Sequence, residues 1–104
     1  MKKVFISQPM RGRKDEEIRA ERELILTQVA AKFQGEQVEE IKSFLPGEFH
    51  KANFKNVPLA YLGKSLMMLA EADIAVFTEG YEEARGCSIE HAAATAYNVE
   101  RMYI

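Results

Sequence analysis

The chain has 104 residues, 47% of them apolar and 29% charged, with a net charge of −2. That size and balance predict one soluble domain over 1–104 and exclude a general electrostatic footprint for a nucleic-acid polymer. No apolar run approaches the roughly 18–20 residues of a membrane span, and the single cysteine, Cys87, cannot form an internal disulfide, which fits a cytoplasmic, reducing setting.

The N-terminus carries two lysines and then only a short apolar run that Gln8, Pro9 and Arg11 stop, so it reads as a first strand over 4–7 and not as a signal peptide. Pro9 and Gly12 mark the loop that follows. A helix is expected over 15–34, where Ile18, Ile25, Leu26, Val29, Ala30 and Phe33 recur at helical spacing, with an acidic first turn and Gly35 as its cap. Residues 37–41 alternate weakly and predict a second strand at a sheet edge. Residues 43–57 read as a loop or irregular segment. Pro58 suits the first turn of a helix running to about 72, with Leu59, Leu62, Leu66, Leu69 and Ala70 as its core stripe. A third strand is expected at 73–77, then an acidic loop, an alanine-rich helix that begins at Arg85 and Gly86, and a short fourth strand at 100–104.

Alternating strands and helices predict an α/β domain, a flavodoxin-like, Rossmann-type three-layer sandwich on a small parallel sheet of about four strands. In the order 2-1-3-4 the first and third strands are neighbours and their crossovers leave on opposite faces. Ligands of such folds bind beyond the carboxyl ends of the strands at this switch point. The loops expected there are Ser7 to Arg13 and Thr78 to Gly86.

Glu90 is the principal candidate. A carboxylate in about the first turn of a helix is expected to stay ionised beside the helix dipole, and can attack an electrophilic carbon such as the anomeric carbon of a sugar. The alternative is a dipole-stabilising glutamate contributing about 0.3–1 kcal/mol. In the first loop, Ser7 and Gln8 offer hydrogen bonds, Gly12 permits close backbone approach, and Arg11 and Arg13 can pair with a phosphate. A solvated basic loop accounts for the same residues. Glu79, Glu82 and Glu83, with Arg85 nearby, match no metal-loop spacing and read as solvated. Tyr81 suits either stacking on a base or packing on the domain. His50, His91 and Cys87 read as structural or exposed. The Gly63-Lys64-Ser65 triplet lacks the earlier glycine and preceding strand of a P-loop. Met67 and Met68 read as core or subunit-interface residues.

Two stretches, VFISQPMRG at the start and AEADIAVFTEGYEEARGCSIEHAAATAYN near the end, resemble the signatures of the nucleoside 2-deoxyribosyltransferase-like superfamily. The first is similar to its "YISGPMTG" type. The second is similar to "CDAVVLLPGWEDSRGARLEH", found in small, often phage-borne members. The resemblance follows the element order along the chain and is weakest over 36–57. It implies cleavage or transfer of the N-glycosidic bond of a nucleoside or nucleoside 5′-monophosphate, through a glutamate that forms a covalent glycosyl-enzyme, and without a metal or other cofactor. On that implication Glu90 is catalytic. Ser7, Gln8, Met10, Arg11, Gly12 and Arg13 in the first loop, and Gly80, Tyr81, Arg85 and Gly86 in the second, hold the substrate. A homo-oligomer is implied as well.

The chain departs from the family pattern at three positions. Ser65 stands where characterised members carry an aspartate, eight residues before the one that opens the third strand. Ala84 replaces an aspartate or serine, and Gln8 replaces a common glycine. A hydroxyl cannot serve as general acid in place of a carboxyl. The competing expectations are therefore a non-catalytic nucleotide-binding module of the same fold, and an interaction protein that uses its acidic loop and Met-rich helix.

Overall fold

The computed structural model describes residues 1–42 and 54–104. His50 and most of the segment expected to be irregular lie outside the described residues. The elements are β1 (Lys2–Ser7), α1 (Asp15–Lys32), β2 (Val38–Glu40), α2 (Val57–Leu69), β3 (Ile74–Phe77), α3 (Arg85–Ala96) and β4 (Arg101–Tyr103). All strand pairs are parallel and the sheet order is β2-β1-β3-β4, as the alternation of elements predicts. In register, Val4 faces Ile74 and Ser7 faces Phe77, so β1 and β3 end level with one another.

Alternate residues of the central strands point to opposite faces, and both faces are covered. Val4, Ile6, Ile74 and Val76 pack with Ile25 and Val29 of α1. Phe5, Ala75 and Phe77 pack with Leu69 of α2 and Ala94 of α3. Two-sided burial explains why β3 is a continuous apolar run rather than an alternating one. Each buried aliphatic or aromatic side chain contributes about 1.5–3 kcal/mol relative to exposure. Among the described residues, no helix is long and apolar enough to cross a membrane.

Element ends differ from the sequence expectation by a few residues. Helix α1 stops at Lys32 because Gln34, not Gly35 alone, turns left-handed (φ 54°). The Gly35 and Gln34 amides then donate to the carbonyls of Ala30 and Ala31, closing the helix in a Schellman arrangement. Helix α2 starts one residue before Pro58, because the Asn56 side chain accepts from the Leu59 amide and caps it.

Candidate functional site

A cleft of about 570 Å³ opens at the carboxyl ends of β1 and β3. Ser7 is the last residue of β1 and shares a face with Phe5, so its side chain points toward α2 and α3. Its hydroxyl donates to Oε1 of Glu90 at 2.7 Å. Ser65 of α2 also faces this carboxylate and acts to lower its pKa. Cys87, one turn before Glu90, is buried beside Ser7. All four side chains line the cleft.

Glu90 does not sit in the first turn of α3. The helix starts at Arg85, which puts Glu90 in the second turn, beyond the free amides. Only 8% of it is exposed. Burial therefore dominates and raises its pKa, while hydrogen bonds from Ser7 and Ser65 pull it back down. The expected place in the first turn, beside the free amides, is thus corrected: Glu90 lies one turn further in, where burial is the largest influence on its titration. Burial also pushes the Cys87 thiol up, with the adjacent Glu90 adding to the shift and Ser7 opposing it. A raised thiol pKa suits a packing residue and not a thiolate nucleophile.

The substrate-binding candidates divide. Ser7, Gln8, Met10 and Gly86 line the cleft with Glu90, whereas Arg11, Gly12, Arg13, Gly80, Tyr81 and Arg85 do not. Gln8 is 4% exposed and both ends of its amide are engaged. It accepts from Arg22 Nε and donates to Glu21 Oε1. Arg13 donates to the same Glu21 oxygen at 2.9 Å and to the Pro9 carbonyl, so its guanidinium serves the loop's own structure. Arg11, Gly12 and Arg85 are exposed. Gly80 has φ +90°, and a Cβ there would lie 3.6 Å from Pro9 Cγ, so it shapes the meeting of the two loops. The half-buried Tyr81 ring packs against Phe77 and His91, the packing alternative of the two expected for it. His91 Nε2 lies 2.8 Å from the Tyr103 hydroxyl, a structural role as expected.

Gly86 lines the cleft, and a Cβ on it would meet nothing within 4 Å. Glu79, Glu82 and Glu83 are exposed. Ser65, Met68 and Lys64 belong to α2, so the Gly63-Lys64-Ser65 triplet is helical and no P-loop. Met68 lines the cleft, while Met67 is 65% exposed.

Arg22, Glu40, Ile41 and Tyr61 also line the cleft and were not anticipated. Arg22 carried a readable signal. With Ile18, Ile25 and Val29 it forms the 18-22-25-29 stripe of α1, where an unpaired charge is out of place. Glu40 shares the inward parity of Val38 on β2.

No protein-family model matches the chain, and no curated protein matches it.

Proposed function

We propose that the protein breaks, or breaks and transfers, the N-glycosidic bond of a nucleoside or nucleoside 5′-monophosphate, as a member of the nucleoside 2-deoxyribosyltransferase-like superfamily. The observation that carries this is the buried Glu90 carboxyl at the switch-point cleft, held by the Ser7 hydroxyl of β1 and faced by Ser65 of α2. A carboxylate needed only for helix stability would be expected at the surface. Fixing it from β1 and α2 sets its attack direction before substrate arrives.

In the first step a Glu90 oxygen bonds to C1′ as the C1′–N bond breaks, and its electron pair leaves with the base. The base takes a proton from solvent, because Ser65 is no acid. Water or a second base then attacks C1′, the ester bond breaks and Glu90 is returned as carboxylate, with net retention. Gly86 leaves room for the sugar beside Glu90. Exposed Leu59 and Met67 on α2 give surface for self-association, and the free, buried Cys87 accords with a reducing cytoplasm.

The test is chromatographic release of free base from a panel of nucleosides and their monophosphates. Wild type releases base, and Glu90→Ala does not while keeping its fold by circular dichroism. Equal release by both proteins contradicts the proposal. Ser65 in place of a carboxyl favours one second reading, a nucleotide-binding module without turnover. It is distinguished by a ligand-induced rise in Tm with no base released.

A further inference from the structure

The far wall of the cleft holds a second built constellation that the glycosidic step does not use. Arg22 Nη1 lies 2.8 Å from Glu40 Oε1, with the side chains 31% and 19% exposed. The buried Gln8 amide fixes Arg22 through Nε and is itself fixed by Glu21, which Arg13 braces. Helix α1, strand β2 and the loop after β1 thus hold one ion pair. Desolvation offsets most of what such a half-buried pair contributes to stability, so stability alone explains the arrangement poorly.

These bonds occupy Nε and Nη1 of Arg22 and one oxygen of Glu40. Nη2 and Glu40 Oε2 have no partner among the described residues. The wall therefore offers an N–H donor next to a carboxylate acceptor. That pair complements an amide-like edge, in which an N–H lies beside a carbonyl oxygen or ring nitrogen. A phosphate fits it badly, because Glu40 repels the anion and already neutralises Arg22. The placement agrees. Ser7, the last residue of β1, bonds Glu90, and Gln8, which follows it, accepts from Arg22, and all four line the same cleft, so one nucleoside can set its sugar at the first and its base edge at the second.

We propose that Arg22 and Glu40 form the reading edge for the nucleobase and select a base that carries an N–H donor beside an acceptor. The sugar's placement rests on the role proposed above for Glu90; the binding preference does not. Calorimetry with 2′-deoxyadenosine against purine 2′-deoxyriboside, and 2′-deoxycytidine against its analogue lacking the amino group, tests it. In at least one of these pairs wild type binds the amine-bearing ligand about tenfold or more tightly, and Glu40→Leu loses the preference. Arg22→Leu/Glu40→Leu, which leaves no unpaired charge, gives the same readout if the single variant unfolds. Equal affinities in both pairs, no binding of any ligand, or a preference unchanged in the variants would overturn it. Base release from the same ligands is scored separately. Preference without release leaves this site standing and removes the glycosidase, and release without preference does the reverse.

Discussion

The Ser7 hydroxyl donates to Glu90 Oε1 at 2.7 Å across 83 positions of sequence, joining the end of β1 to the second turn of α3. The bond stabilises the ionised carboxylate and opposes the burial that raises its pKa. Ser7→Ala removes that opposition. Attack on C1′ needs the ionised form, so base release by wild type should rise with pH along a limb displaced above the ordinary glutamate range. In Ser7→Ala the limb should move to still higher pH. A pH–rate profile of both proteins checks this, and coincident limbs would show that Ser7 does not tune Glu90.

The same shift has a consequence for stability. Glu90 holds its proton in the folded protein at pH values where the unfolded chain has lost it. Stability from this group is therefore full below the ordinary glutamate pKa and falls as pH rises through the raised value. Glu90→Gln stays neutral and still accepts from Ser7. It should melt higher than wild type at neutral pH, with the difference vanishing toward pH 4, about the ordinary glutamate pKa. Thermal melts across pH measure it.

Gly86 is in helix α3 with open space where a Cβ would be. Gly86→Ala should stabilise the fold by about 0.5–1 kcal/mol and at the same time raise KM for a nucleoside, since the methyl enters the cleft. Denaturant titration and steady-state kinetics read the two effects independently. A stabilised variant with unchanged KM would place the sugar elsewhere.

The Thr78 hydroxyl follows β3, is buried, and has no hydrogen-bond partner among the described residues. Leaving such a group unsatisfied costs about 1–3 kcal/mol. Thr78→Val keeps the shape and removes the polar atom, so its Tm should equal or exceed that of wild type. A clear loss of stability would reveal a partner for the hydroxyl.

The sheet order, both crossover directions and the switch point were legible because periodicity and turn residues are local signals. Glu90 was singled out for a position that the structure corrects. Its place near a helix start is visible in sequence, but its burial depends on how α3 packs against α2 and β1. Arg13 shows the converse. A basic loop residue invites a phosphate, and only the tertiary structure shows Glu21 already occupying it. Arg22 and Glu40 were missed because their ion pair joins a helix directly to the next strand, with Gln8 bracing Arg22, and nothing in their spacing announces it. The stripe that puts Arg22 among Ile18, Ile25 and Val29 was the available clue.

As the proposed nucleophile, Glu90 becomes covalently bonded to the sugar during turnover. Acid-quenched protein from incubation with a nucleoside mixture, digested and mapped by mass spectrometry, tests it directly. A pentosyl or deoxypentosyl adduct is expected on the peptide that contains Glu90, absent from Glu90→Gln. Base release without any adduct on that peptide, or an adduct that persists in Glu90→Gln, would contradict it.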